Sequence, residues 1–263
     1  MTTTHASARF AQAFAVSKPV LGMLHLKGDD PDDVLTRALR EADLLVSNGV
    51  DGLVVEDYYG SVSDVERVLA HLTAGAGAGV PVGVNVLDDG VTSFALADRF
   101  GAAFVQMDSV AGHLAPEDDG AFADELALIR ERSSAVLLGG VRFKYQPVLS
   151  GNSAEVDLRI GITRCDAIVV TGEGTGMETS LEKLAEFRRI AGPGFPLVVG
   201  AGVTTDNCAA ALSIADGAIV GSSLKDTLAA AGEISAARVA DLMEAVRRVR
   251  AGEATLPRGE AAP

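Results

Sequence analysis

Residues 198–225 contain two segments, VVGAGVTTDN (198–207) and GAIVGSSLK (217–225), separated by a short helical pattern. Each segment has the pattern of a buried strand that runs directly into glycines and hydroxyl side chains, and Lys225 closes the second. Glycine lets the backbone approach a ligand closely, so that its N–H groups can point at an anion. If both strands belong to a βα barrel, their ends predict a phosphate-binding site. Its residues are Gly200, Gly202, Gly221, Ser222 and Ser223.

Eight short apolar runs, rich in valine and isoleucine, recur along the chain. Each is apolar on both faces, as expected for a strand that is covered on both sides of a parallel sheet. Amphipathic segments separate them, so the sequence predicts an α/β fold, a single-domain (β/α)8 TIM barrel. A doubly wound sheet is the alternative, and the even spacing favours the barrel. The runs lie at 20–25, 52–56, 80–87, 102–108, 135–141, 167–172, 196–202 and 217–222.

The helical patterns and the two ends of the chain complete the predicted domain organisation. Residues 1–17 form an N-terminal extension, in which 5–17 predict a short helix that covers the bottom of the barrel. Residues 18–250 form the barrel, and the small, polar residues 251–263 are expected to be a flexible tail. Between the strands, helices are predicted at 31–48, 63–73, 119–132, 180–190, 205–212 and 235–250.

Composition excludes several classes of protein. The chain has 263 residues, 48% of them hydrophobic, and a formal net charge of −14, which argues against binding to nucleic acid or anionic membranes. No apolar run reaches the ~18 residues needed to span a bilayer, and no secretory signal is visible. The two cysteines give neither a disulfide framework nor a metal-binding spacing. We therefore expect a cytoplasmic protein with no evident cofactor. We also expect a homo-oligomer, because barrels of this size often associate.

Polar residues stand where the first four predicted strands end, which is where barrel enzymes place their active sites. His25 suits a general acid or base, or else is a buried histidine bonded to a loop carbonyl. Glu56 and Asp108 could act as a base and as a ligand that binds a metal or a ribose hydroxyl. The alternative is that each carboxylate caps the next helix. Asn85 is expected to orient a carbonyl or hydroxyl of the substrate, or else to form a structural hydrogen bond with a loop. A divalent metal at His25, Glu56 and Asp108 is weakly supported, because no His-x-His spacing is present.

The remaining candidates follow strands three, five and six. Lys144 would hold a substrate anion or, less favoured, form a Schiff base; the alternative is a surface lysine. After the sixth strand, glycines at alternate positions predict a mobile lid or a plain turn. The lid residues are expected to be Thr171, Gly172 and Glu173. Asp88 and Asp89 are expected to cap a helix or to line the rim.

These strand-end segments together resemble the BtpA/SgcQ family over residues 19–250. The segments are LGMLHL, VDGLVVED, VGVNVL, DAIVVTGEGTG, GAGVTTDN and DGAIVGSSLK. The resemblance implies a TIM barrel, distantly similar to barrels that bind ribose-phosphate ligands. Its members are associated with photosystem I accumulation or with sugar or nucleoside metabolism. This chain departs from the family pattern at Asp57, where asparagine is usual, and at Tyr145, where histidine is usual, so a distinct substrate is expected.

Residues and resemblance together predict an enzyme for a small phosphorylated metabolite, a sugar phosphate or a nucleotide. Two chemistries fit: glycosidic C–N cleavage or transfer, and enolisation as in isomerases and aldolases. The resemblance favours the first slightly. The alternative is a non-catalytic assembly or regulatory factor of the photosystem I type that keeps a ligand-binding barrel.

Overall fold

Eight parallel strands close into a barrel in which spatial order follows chain order. The computed structural model describes residues 3–74 and 78–252, so nearly all of the predicted tail lies outside the described residues. The predicted TIM barrel is confirmed, with every predicted strand present. The strands are β1 (Val20–His25), β2 (Gly52–Glu56), β3 (Val82–Asn85), β4 (Phe104–Ala111), β5 (Val136–Val141), β6 (Ala167–Val170), β7 (Leu197–Val199) and β8 (Gly217–Val220).

Helices connect the strands on the outside of the barrel, and one more precedes β1. In the described chain they are α1 (Thr3–Ala13), α2 (Pro31–Ser47), α3 (Val62–Leu72), α4 (Gly90–Phe100), α5 (Pro116–Arg132), α6 (Ala154–Arg164), α7 (Leu181–Ala191), α8 (Cys208–Ile214) and α9 (Ala236–Arg250). A 3-10 turn spans Ser222–Leu224. None of these helices combines the length and the apolar character that crossing a bilayer requires.

Local chemistry explains where several of these elements differ from the prediction. Helices α4 and α6 were not among the predicted ranges, yet each begins at a side-chain cap, Asp89 for α4 and Ser153 for α6. Helix α8 begins three residues later than predicted, because Asn207 Oδ1 accepts from the Thr204 N–H at 2.8 Å and folds the approach into a turn. Strand β4 continues three residues beyond its predicted end, through a register shift against β5.

The barrel interior is filled by alternate residues of the strands, and α1 seals it from below. An inner cluster of ten strand residues packs on Phe10 and Phe14, and the Phe14 and Phe104 rings lie 5.3 Å apart. Arg9 donates to the Ala135 carbonyl at 2.7 Å, which fixes the helix beneath β5. The predicted helix at the barrel bottom is therefore confirmed. The ten strand residues are Leu21, Met23, Val54, Phe104, Val136, Leu138, Ala167, Val169, Val198 and Ile219.

The same alternation decides what lies at the top of the interior. On β1 to β3 the last inward positions carry the polar residues His25, Glu56 and Asn85, all buried. On β7 and β8, the latter paired with β1, the corresponding positions just beyond the strands are glycines, Gly200 and Gly221. One half of the upper barrel therefore presents functional groups, and the other half leaves space.

Close packing inside the barrel gives a testable consequence at Gly83. A Cβ added there would lie 2.1 Å from Cε2 of Phe104, whereas one added at Gly120 in α5 would meet nothing within 4 Å. We expect Gly83→Ala to lower the free energy of unfolding by about 1–3 kcal/mol through overpacking. Gly120→Ala, the control, should raise it by up to about 1 kcal/mol, because alanine is the better helix former. Urea unfolding measures both, and equal effects would contradict the assigned packing.

Candidate functional site

Four polar side chains, which we call the polar chain, cross the mouth of the barrel from β1 to β4. They are His25, Glu56, Asn85 and Asp108. His25 Nε2 lies 3.4 Å from Glu56 Oε2. The Asn85 amide donates to Glu56 Oε1 at 3.0 Å and to Asp108 Oδ1 at 3.2 Å. The structure thus brings together four of the five predicted catalytic residues, since each ends one of four neighbouring parallel strands or lies near its end.

Burial controls the protonation of the titratable residues of the polar chain. Burial, followed by the nearby charge of Asp108, raises the pKa of Glu56 to about 8. Burial also lowers the pKa of His25 to about 3, and the positive charge of Lys225 adds to that effect. The pKa of Asp108 is raised, again chiefly by burial. At neutral pH the His25–Glu56 pair is therefore held mainly as a neutral imidazole beside a protonated carboxyl rather than as an ion pair.

A cavity of about 220 Å³ opens beside the polar chain, where Gly200 and Gly221 line it. His25 and Lys144 line it together with all five residues of the predicted phosphate site. Glu56, Asn85 and Asp108 do not border this cavity and lie behind or beside His25. The lining residues of the phosphate site are Gly200, Gly202, Gly221, Ser222 and Ser223.

The backbone around this cavity has hydrogen-bond donors to spare. Within the described chain, the N–H groups of Gly202, Val203, Ser222 and Ser223 donate no hydrogen bond. Gly202 has φ +68°, and an added Cβ would lie 2.3 Å from the Glu178 Cα, so only glycine fits there. The Ser223 hydroxyl donates to the Val203 carbonyl at 2.6 Å and ties the two loops together. The hydroxyl of Ser223 is thus engaged by the neighbouring loop, and its backbone N–H remains available to a ligand.

Lys144 is the cation of the cavity. It is half-buried, and among the described residues its ammonium group forms neither an ion pair nor a hydrogen bond. Its backbone N–H donates to the Thr171 hydroxyl at 2.9 Å, which holds the loop after β5 against β6. Lys144 thus lines the same cavity as the predicted phosphate site, and its contact with a substrate anion stays a prediction.

Lys225, which closes the segment 217–225, does not line the cavity. Rather than facing the cavity, its side chain is fully buried, and Nζ donates to Glu41 Oε2 of α2 at 3.0 Å. Its contribution to the site is the electrostatic effect on His25 rather than a direct contact. Sequence reasoning missed this pair because its two members lie 184 residues apart.

The lid residues also differ from the prediction. Thr171 and Gly172 are buried at the base of the loop and Glu173 is exposed, whereas Thr175 and Gly176 border the cavity. Their backbone closes over the barrel mouth towards the 3-10 turn that follows β8, since a Cβ on Gly176 would lie 3.3 Å from Ser222.

Two tyrosines hold this loop in place, a role that was not predicted for either residue. The Tyr145 hydroxyl accepts from the Thr175 N–H at 2.9 Å, and the Tyr58 hydroxyl lies 3.4 Å from that of Thr175. The Tyr58 ring packs on His25 with centroids 5.0 Å apart. The loop is thereby connected to the imidazole that faces the cavity.

The geometry does not support a metal at His25, Glu56 and Asp108. The Asn85 amide donates to both carboxyls, so a hydrogen-bond donor occupies the place between them where a shared cation would sit. Among residues 3–74 and 78–252, no three histidine, cysteine or acidic side chains are arranged to hold a metal ion.

Comparison with known proteins gives a family and three relatives. A model of the BtpA family matches residues 16–248. An uncharacterized protein of Thermococcus kodakarensis is 32% identical, covering 89% of this chain and 97% of its own. The photosystem I biogenesis protein BtpA of Synechocystis is 31% identical, covering 81% and 83%. The putative sgc region protein SgcQ of Escherichia coli is 26% identical, covering 91% and 98%.

Solved structures share the fold at much lower identity. Phosphoribosyl anthranilate isomerase of Thermus thermophilus aligns with a TM-score of 0.60 and 14% identity, covering 88% of this chain and 99% of its own. An archaeal fructose 1,6-bisphosphate aldolase aligns with a TM-score of 0.60 and 15% identity, covering 94% and 99%. At this identity the similarity establishes the barrel fold alone.

The protonated state of Glu56 predicts how stability depends on pH. Its folded pKa of about 8 exceeds the ordinary 4.5, so its contribution to stability is lost as pH rises towards 8. The opposite contribution of His25 is confined to pH below 6.5, because its folded pKa is lowered.

Between pH 6.5 and 8, unfolding free energy should therefore fall by about 1 kcal/mol per pH unit relative to the Glu56→Gln variant. The exposed-site control, Glu131→Gln, should keep the wild-type slope. Denaturant unfolding at several pH values measures this, and parallel curves for wild type and Glu56→Gln would refute the protonated carboxyl.

Proposed function

We propose that this chain, which belongs to the BtpA family, is an enzyme for a small phosphorylated metabolite, a sugar phosphate or a nucleotide. The observation that carries the proposal is the cavity at the barrel mouth, which is lined by His25, Lys144 and loops with unengaged backbone N–H groups. Unengaged N–H groups beside a cation are the arrangement that binds phosphate. At about 30 Å³ per water molecule, the volume is enough for a phosphate group and a short carbon chain.

The charges around the cavity favour enolisation over glycosidic C–N cleavage. Cleavage develops positive charge at the anomeric carbon, which the Lys144 ammonium would oppose. Enolisation develops negative charge on a carbonyl oxygen, which the same ammonium would stabilise. The lysine therefore reverses the slight preference that the family resemblance suggested.

Each residue of the polar chain then has a role. His25 borders the cavity and exchanges a proton with the substrate through one ring nitrogen. The other ring nitrogen, Nε2, passes a proton to or from the Glu56 carboxyl at 3.4 Å, because a pKa near 8 leaves both the acid and the carboxylate populated near neutral pH. Asn85 holds Glu56 through its amide, and Asp108 is the second partner of that amide. Thr175 closes the mouth above His25 and limits access of water.

A non-catalytic assembly or regulatory role is the second candidate, favoured by one feature of the surface. Five large apolar side chains are exposed on loops at the mouth of the barrel, where they offer a surface to a protein partner or to another copy of the chain. One relative is named for photosystem I biogenesis. The side chains are Tyr145, Val148, Leu149, Met177 and Leu228.

We place the protein in the cytoplasm and include a homo-oligomer in the proposal. Both cysteines, Cys165 and Cys208, are free and buried thiols, which agrees with a reducing compartment. The exposed apolar loops provide a surface for self-association.

Phosphate binding tests the first half of the proposal. Inorganic phosphate and ribose 5-phosphate should bind, and Lys144→Gln should weaken both by about tenfold, because it removes a charged contact. Arg132→Gln removes one positive charge from the exposed end of α5 and serves as the control. Isothermal titration measures the affinities. An absence of binding, or equal losses in both variants, would contradict a phosphate site in this cavity.

Exchange of a carbon-bound proton tests the proposed enolisation chemistry. In D2O, the enzyme should exchange a carbon-bound hydrogen next to the carbonyl of its ketose or aldose phosphate substrate, which proton NMR detects. A panel of sugar phosphates, with ribose 5-phosphate and ribulose 5-phosphate first, identifies that substrate. Glu56→Gln should slow exchange by at least about 100-fold, as expected for loss of a general acid–base, while Glu131→Gln should not. Release of a free base from nucleotides without exchange would favour C–N cleavage, and inactivity on both would favour the assembly factor.

A further inference from the structure

A second, smaller cavity lies at the ends of β3 and β4, apart from the one assigned to phosphate. Its volume is about 100 Å³, room for roughly three water molecules at about 30 Å³ each. Asp108 borders it, so the polar chain that begins at His25 in the first cavity ends in the second. We propose that this cavity binds the ammonium group of a primary amine.

The polar side chains that line this cavity are mostly hydrogen-bond acceptors. Asp88, Asp108 and the Ser109 hydroxyl face it, and neither lysine nor arginine is among its residues. Gln146 closes one side, since its amide donates to Asp88 Oδ1 at 2.7 Å. A group that donates several hydrogen bonds and carries positive charge complements these acceptors, whereas an anion would meet two carboxyls.

Two buried polar atoms at this cavity have no partner in the described structure. Ser109 is 6% exposed, and its Oγ makes no hydrogen bond. His113 Nδ1 is likewise buried and unpartnered, with its ring packed edge-on against Phe122 at 5.0 Å. An unpartnered buried polar group costs free energy that a ligand can recover by bonding to it.

An ammonium fits this set better than a hydroxyl does. It donates three hydrogen bonds, enough for Asp108, Ser109 Oγ and His113 Nδ1 together, whereas a hydroxyl donates one. Burial and the charge of Asp88 raise the pKa of Asp108, and a bound cation would offset both effects. His113 is able to accept because burial lowers its pKa and keeps the imidazole neutral.

The local backbone keeps the cavity small. Asp88 has φ +59° and turns the chain directly after β3, and Asp89 then caps α4 by accepting from the Thr92 N–H at 2.9 Å. Gly90 leaves room for Met107, because an added Cβ would lie 2.3 Å from its Cε. The remaining space, about 100 Å³, accommodates an amine and its first carbons.

Ethanolamine and ethylene glycol are matched probes for this site, since they differ in one ammonium against one hydroxyl. We expect ethanolamine to shift the His113 imidazole signals saturably in NMR spectra of the full chain, and ethylene glycol to leave them unchanged. His113→Gln assigns those signals. Equal responses to the two probes, or no response to ethanolamine, would overturn the proposal.

Variants separate the site from a general electrostatic effect of an acidic protein. Ser109→Ala and Asp108→Asn should each weaken ethanolamine binding by at least about tenfold, and Asp118→Asn on the surface of α5 should not. Equal weakening in all three would count against a local site. Because ethanolamine carries no phosphate, the outcome is independent of the function proposed for the first cavity, and phosphate titration of the same samples reports on that separately.

Discussion

Closure of eight parallel strands allows only alternate residues to enter the barrel, and the rest of the molecule depends on that constraint. Below, the inward positions hold large apolar side chains, among which Phe104 occupies the space left by Gly83. Above, the same positions hold His25, Glu56 and Asn85 on one wall and glycines on the other. The choice of residues at this level of the barrel leaves space for the cavity, and the loops after β5 to β8 supply most of its lining.

The strands were predictable from the sequence because a strand that is covered on both faces must be a short apolar run. Eight such runs, separated by amphipathic segments, indicate eight buried parallel strands. The residues at their ends followed for the same reason, as did their meeting in space. Contacts between loops were not predictable. The pairing of Lys225 with Glu41 and the bond from Thr175 to Tyr145 depend on tertiary positions that no local pattern contains. The lid was accordingly expected at Thr171 to Glu173, a few residues too early.

A strongly acidic chain surrounds a cavity that we assign to an anion, and the structure suggests how both coexist. Around the cavity, Glu56 is held protonated by burial, so the nearest carboxyl adds little negative charge. Lys144 keeps its ammonium free of carboxylate partners within the described chain. Backbone N–H groups supply the remaining positive potential without any charged residue. The net charge of −14 thus resides mostly on the outer surface, where it favours solubility.

The helix that seals the barrel bottom has a consequence for biosynthesis. Helix α1 leaves the ribosome before every strand of the barrel, yet its partners are made much later. Arg9 bonds to the Ala135 carbonyl before β5 and pairs with Asp166 before β6, and Ser7 bonds to the Gly194 carbonyl before β7. Its apolar face, with Phe10, therefore has no surface to cover until most of the chain has been translated. A helix synthesised before all eight strands is therefore among the last elements that can dock, and a nascent chain must shield its apolar face in the meantime.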